Sequence, residues 1–286
     1  MTMNKGPKQL LIDKSLFDAT PTRKIKEFVR NYFLILPNGL LYECLTTERA
    51  KDKLLHRFRE GVLAGGYVCS SIYDTVRYEG EDLAPYGNLV DAEYCDAFRQ
   101  TLAENPNPYD YRWITNRSRL NQKFIEHFQI NIKKFATLES EKLDVMKALR
   151  HEDHSNEGRP NRLKYWAEFV DSKDLKDAGN RLLRGITTCP GRYCLSKEWI
   201  SWQFVRVFMI WLMECSFLSQ TGGGKGSAKL EHDLQDMGCV ALLSRVDGLL
   251  MRDKLAQDLA RVAFPDKDIF SSLHEVPEDY KCNWTQ

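Results

Sequence analysis

Four acidic residues stand at positions from which folding could bring their carboxylates together. Asp13 ends a short apolar run, and Asp253 comes just after the apolar run GLLM. Asp236 lies in the first half of the helix predicted before that second run, and Glu43 lies near the start of another predicted helix. If both runs are strands of one parallel sheet, the acids meet at its carboxyl edge, where open α/β sheets bind ligands.

Such a group of carboxylates predicts a bound divalent cation. Like charges held close together repel, so clustered acids stay ionised at neutral pH only when positive charge is added. Oxygen ligands favour Mg²⁺ or Mn²⁺ over zinc. Asp233 lies one helical turn before Asp236 on the same face, so it remains an alternative ligand to Asp236.

The segments around these acids predict alternating strands and helices. We expect a buried strand at 9–13, a helix at 23–31, a second strand at 32–36 and a helix from 40 to about 59. This order of strands and helices indicates a parallel sheet. After Asp253, the pattern predicts a helix at 254–260 and an edge strand at 261–264.

Helical periodicity dominates the long middle of the chain, from about 60 to 220. The apolar run at 199–218 carries Arg206 and Glu214 and is apolar on nearly all sides. A membrane span prefers ~20 residues with few or no charges. We therefore interpret this run as a central buried helix and expect no membrane partner.

The composition is that of an ordinary globular protein, with 43% hydrophobic and 28% charged residues. A net charge of +1 gives no global electrostatic attraction to nucleic acid or membranes, so any basic surface must be local. The polar N-terminus lacks the pattern of a signal peptide, and the eight cysteines include no C-x-x-C motif. These features predict a reducing, cytoplasmic location.

Three stretches of the chain resemble the PIN domain of metal-dependent nucleases. The matching stretches are LLIDKSLF, LLYECL and HDLQDMGCVALLSRVDGLLMRDK. In that family, an acid ends the first strand and a Ser or Thr follows two residues on. A Glu comes next, then an Asp in a helix, then an Asp after a closing strand. The resemblance implies that Asp13, Glu43, Asp236 and Asp253 are catalytic metal ligands and that Ser15 supports them.

The resemblance also implies a fold and the residue ranges of its parts. The fold class is α/β, a PIN-like three-layer fold with a central parallel sheet. Its core would comprise 8–59 and 229–270, with a mostly α-helical insertion at 60–228 and a tail at 271–286. Two features depart from the family pattern: Met251 stands where Thr or Ser is usual, and the insertion is far longer than in compact members.

The implied activity is a Mg²⁺- or Mn²⁺-dependent nuclease, in which metal-bound water attacks a phosphodiester bond. We favour RNA over DNA because cleavage of single-stranded RNA is common among the proteins that this chain resembles. The helix-hairpin-helix pattern of flap-type DNA nucleases is also not visible in the sequence.

One basic and aromatic segment could bind nucleic acid. Arginine binds phosphate, and aromatic rings stack on unpaired bases. The candidate residues lie in the segment YDYRWITNRSR and are Arg112, Trp113, Arg117 and Arg119. A solvated helix face with a core tryptophan explains the same residues.

Other functions remain open. The fold could be catalytically inactive, with the helical insertion binding RNA or a protein partner or inhibitor. A phosphatase of the haloacid-dehalogenase type needs a second Asp where Ser15 stands. The glycine-rich segment at 222–227 lacks the residue order of a phosphate loop. Zinc binding by His151 and His154, or by Cys189 and Cys194, lacks a second pair with matching spacing.

Overall fold

The computed structural model describes residues 6–46, 51–105, 155–172, 176–186, 193–220 and 227–282. Its strands are β1 Gln9–Ile12, β2 Phe33–Pro37, β3 Tyr67–Cys69, β4 Gly248–Leu250 and β5 Asp268–Phe270. The helices before residue 106 are α1 Lys14–Ala19, α2 Thr22–Asn31, α3 Asn38–Thr46, α4 Lys51–Leu63, α5 Ile72–Asp82 and α6 Ala92–Glu104. The later helices are α7 Arg159–Asp171, α8 Lys176–Ile186, α9 Ile200–Gln220, α10 Ser227–Leu242 and α11 Lys254–Ala263.

The five strands form one parallel sheet in the order β3-β2-β1-β4-β5. Central Leu11 of β1 is in register with Ile35 of β2 and with Leu249 of β4. The ladder between β1 and β4 continues past the strands, because Asp13 donates its backbone N–H to the carbonyl of Leu250 at 2.8 Å. The predicted parallel sheet is therefore confirmed, and two strands far apart in the chain end side by side.

Helices cover both faces of this sheet, which gives three layers. Alternate residues of a strand point to opposite faces. Leu10 and Ile12 accordingly pack with the residues of α1–α4 and α6, whereas Leu11 packs with α5 and with the helices from α7 onward. The residues of β1 are almost wholly apolar because both faces are buried, as expected for a parallel sheet.

The predicted central buried helix is α9, which packs against α5, α7, α8, α10 and α11. Two buried carboxylates fix it in place. Glu79 of α5 accepts the backbone N–H groups of Ile200 at 2.9 Å and Ser201 at 2.7 Å. Glu214 within α9 accepts from Arg162 of α7, with the shortest contact at 2.6 Å. No helix in the described part of the chain is long and apolar enough to cross a membrane.

The structure differs from the sequence predictions at two strands. The strand predicted at 261–264 is wrong, because α11 continues to Ala263 and buries Leu259, Ala260 and Ala263 on one helical face. The edge strand is β5, at Asp268–Phe270. Strand β3 also lies within the range 60–228 that was assigned to a helical insertion, so the sheet core extends at least to residue 69.

Candidate active site

Asp13 lies at the carboxyl end of β1, where it caps α1. Its side chain is only 1% exposed. One carboxylate oxygen, Oδ2, accepts both the backbone N–H of Ser15 at 2.8 Å and the Ser15 hydroxyl at 2.6 Å. Burial raises the pKa of Asp13, the two Ser15 bonds lower it, and the charge of Asp253 raises it further, with a net rise. Asp13 is therefore a buried acid whose orientation is set by Ser15.

Ser15 also joins the two halves of the site. Its Oγ accepts the backbone N–H of Arg252 at 2.8 Å while it donates to Asp13. Met251 stands where the PIN-like pattern has a hydroxyl residue. Its side chain is fully buried in the apolar core, where a hydroxyl would be unfavourable. Near Asp13, the hydroxyl comes from Ser15 of the first half of the chain.

Asp236 lies in the second half of α10, not in the first half as predicted. Its pKa is raised well above the usual value by burial first, then by Asp13, Glu43, Asp253 and Asp233 in that order. The four predicted acids therefore act on one another across the edge of the sheet. Asp233 is buried one helical turn earlier and has the weakest of these four effects on Asp236.

Glu43 lies in the second turn of α3 and is 8% exposed. Lys14 places its Nζ 3.7 Å from Glu43 Oε2. With its side-chain amide oriented to donate, Gln235 of α10 lies 2.9 Å from Oε2 and 3.0 Å from Oε1 of Glu43. Sequence reasoning missed both contacts, although each partner is adjacent in sequence to a predicted acid.

Asp253 follows β4 and caps α11. Its Oδ1 accepts the backbone N–H of Ala256 at 2.9 Å. Unlike Asp13, it is exposed, and it provides the solvent side of the acidic group.

Cys239, which was not among the predicted site residues, borders the acids. The pKa of its thiol is raised well above the usual value by burial, followed by the charges of Asp13, Glu43 and Asp236. The thiol is thus held protonated and is a poor ligand for a hard cation. Its position one turn after Asp236 is the signal that could have identified it.

The donor set can be compared with what a divalent cation requires. The four acids offer carboxylate oxygens whose mutual repulsion raises the pKa of Asp236, and oxygen donors are the ligands that Mg²⁺ prefers. Within the described ranges, however, no group of three or more His, Cys, Asp or Glu side chains is placed to hold a metal ion as it stands. The donor chemistry fits a hard cation, but the carboxylates as they stand do not form a complete coordination site.

Several predicted residues lie outside the described residues. These are Arg112, Trp113, Arg117 and Arg119, together with His151, His154, Cys189 and most of the glycine-rich segment. Cys194 is exposed, and all cysteines in the described residues are free thiols. Asp247 is structural, because its carboxylate accepts the backbone N–H of Gln9 at 2.8 Å.

Comparison with known proteins identifies no relative of this chain: no family model, no curated protein and no solved structure matches it.

Proposed function

We propose that this protein is a Mg²⁺- or Mn²⁺-dependent nuclease with a PIN-like fold, acting on RNA in preference to DNA. One observation carries the proposal. Asp13, Glu43, Asp236 and Asp253 share the carboxyl edge of the sheet, and the other three raise the pKa of Asp236 together. Strongly perturbed acids grouped at a ligand-binding edge are typical of active sites.

Neighbouring groups orient three of the four acids. The four carboxylates would hold a divalent cation, which would supply water activation and charge neutralisation at the phosphate. Ser15 orients the Asp13 carboxylate, and the helix N-terminus orients Asp253. Lys14 and Gln235 contact the Glu43 carboxylate and orient it.

The PIN-like assignment is supported by the parallel sheet in which β1 lies between β2 and β4. That order brings the first and last of the predicted acids to neighbouring strand ends. The preference for RNA rests on the resemblance of the sequence motifs, and the cytoplasmic location remains a prediction.

A nuclease assay tests the proposal directly. Single-stranded RNA and single-stranded DNA are incubated with the protein in Mg²⁺, in Mn²⁺ and in EDTA. We expect cleavage only with metal, and its loss in Asp13→Asn. Asp266→Asn is the matched control, because Asp266 is an exposed acid in the turn before β5, at the opposite edge of the sheet. Equal metal-dependent cleavage by the wild type and Asp13→Asn would refute the proposal.

The second candidate function is a catalytically inactive PIN-like protein that binds RNA or a protein partner. It is favoured by the fact that no three acids of the described residues already surround one point. In that case RNA would bind without being cleaved, and neither Mg²⁺ nor Mn²⁺ would change the melting temperature. A metal-dependent rise in melting temperature, lost in Asp13→Asn, would contradict it.

A further inference from the structure

An open pocket of about 250 Å³ lies beside the acids and carries positive charge. We call it the basic pocket and define it by Lys24, Arg252, Ser271, Ser272 and His274, with an apolar wall that includes Leu16. Its walls come from α1, from the start of α2 and from the segments that follow β4 and β5. The basic pocket therefore opens at the same edge of the sheet as the acids.

The basic pocket and the acids share a wall. Arg252, which lines the pocket, donates its backbone N–H to Ser15 at 2.8 Å. Ser15 in turn donates to Asp13 at 2.6 Å, and Asp253 directly follows Arg252. A ligand in the pocket thus lies next to whatever the acids bind.

The cations of the basic pocket are available to a ligand. Lys24, Arg252 and His274 are all exposed, and no carboxylate of the described residues pairs with Lys24 or Arg252. Lys24 Nζ lies 3.4 Å from His274 Nε2, so the ammonium and the imidazole face the same space. Arginine and lysine placed in this way suit a phosphate group, which the guanidinium can bind through two hydrogen bonds.

An acid near the basic pocket is already engaged. Glu275 accepts the backbone N–H of Ser271 at 2.7 Å and its hydroxyl at 2.5 Å. These bonds and those from Ser272 hold the pKa of Glu275 below its usual range, so it is ionised and closes the loop after β5. Because Glu275 is already bonded within its own loop, the charges of Lys24 and Arg252 leave the pocket with a net positive charge.

We propose that the basic pocket binds a backbone phosphate of the nucleic-acid strand, next to the phosphodiester that lies at the acids. The proposal rests on the proposed function, because that function brings nucleic acid to this edge. The two cations hold the phosphate, and the apolar wall around Leu16 packs against the attached sugar. The acids and the basic pocket together then fix the position of the nucleic-acid strand relative to the site.

Binding without cleavage tests this proposal. The probe is a short single-stranded oligouridylate labelled at its 3′ end, and fluorescence anisotropy is measured in EDTA from about 50 to 200 mM salt. Lys24→Gln combined with Arg252→Gln is compared with Arg30→Gln, an exposed arginine on the same helix as Lys24. Melting curves of all variants verify that they are folded.

We expect the double variant to bind about tenfold more weakly. For this variant, the plot of the logarithm of the association constant against log salt concentration should become less steep by about 0.7. That is the change expected when one phosphate contact to a single strand is lost. The control Arg30→Gln should bind as the wild type does. Equal binding of oligonucleotides with a 5′-phosphate and a 5′-hydroxyl supports a backbone phosphate, whereas binding that requires the terminal phosphate overturns it.

The proposed function and this proposal fail in different ways. If the double variant binds and cleaves like the wild type, the basic pocket is not a phosphate site, although the nuclease proposal stands. If no variant cleaves with metal but the double variant loses affinity, the phosphate site stands and the nuclease proposal fails. If the wild type does not bind the probe at all, both proposals are overturned.

Discussion

Replacement of Asp236 by asparagine should stabilise the protein. Burial raises the pKa of Asp236 well above that of an ordinary aspartate, and the charges of Asp13, Glu43 and Asp253 raise it further. An acid whose pKa is higher in the folded state than in the unfolded state lowers folded stability once it is ionised. Asparagine keeps the shape of the side chain and removes that charge.

The magnitude follows from linkage between the pKa and stability. Each unit by which folding raises the pKa removes about 1.4 kcal/mol at pH values above the raised pKa. We expect Asp236→Asn to gain about 1–2 kcal/mol at pH 8, within the range of single stabilising substitutions. At about 2–3 °C per kcal/mol for a chain of this size, the melting temperature should rise by about 2–6 °C.

The dependence on pH gives the sign of the effect. Below the unfolded pKa, Asp236 is protonated in both states, so the charge has no effect on stability. The advantage of Asp236→Asn should therefore appear as the pH rises above about 4 and reach its full value above the raised pKa. Melting temperatures from pH 5 to pH 8, with Asp266→Asn as the control, measure this trend.

Metal addition gives the complementary result. At 10 mM Mg²⁺ and a dissociation constant near 1 mM, binding stabilises the wild type by about 1.4 kcal/mol. The gain should be smaller in Asp236→Asn, because one carboxylate is missing. A lower melting temperature for Asp236→Asn at pH 8 in EDTA would refute the reasoning. An advantage that grows towards acid pH would refute it as well.

Two further substitutions test the parts of the structure that hold the site. Ser15→Ala removes the hydroxyl that bonds both Asp13 and Arg252, so metal-dependent cleavage should fall about 10–100-fold; Ser15→Thr is the control that keeps the hydroxyl, and unchanged cleavage in Ser15→Ala would contradict this role. Glu214→Leu leaves the Arg162 charge buried without its carboxylate, so urea unfolding should show a loss of about 3–5 kcal/mol. A loss below about 1 kcal/mol would show that solvent or another group replaces Glu214.

The elements that carry the predicted acids were readable from the sequence. Strands β1 and β4 are apolar runs that end close to an acid, and both lie in the middle of the sheet with both faces buried. Burial on both faces leaves a continuous apolar run in the sequence. The positions of Asp13 and Asp253 at the carboxyl edge of the sheet could therefore be predicted without knowledge of the strands that lie between them in the sequence.

The short outer strands could not be read in the same way. Strands β3 and β5 contain three residues each, too few to show alternation, and β5 begins with an exposed Asp268. The apolar residues at 261–264 resemble a strand, but Ala260 and Ala263 continue the buried face of α11. Local composition supported both interpretations, and tertiary packing decided between them.

Contacts within the site were also beyond the sequence. Lys14 and Gln235 both reach Glu43, although they lie in different halves of the chain. Cys239 lies near the acids because it is on the same face of α10 as Asp236. The Glu43–Gln235 pair depends on how α3 and α10 approach each other, and the Lys14–Glu43 pair on how α1 and α3 do. No local sequence signal indicates either approach.

The unfavourable charge of Asp236 helps to distinguish the two candidate functions. Fold and packing do not require a carboxylate there, because a neutral side chain would avoid the repulsion from Asp13, Glu43 and Asp253. A protein that only binds a partner through its helices has no use for four interacting acids at the edge of the sheet. A site that receives a cation does, since the same repulsion becomes attraction for the metal. We therefore expect Asp236→Asn both to stabilise the protein and to abolish cleavage.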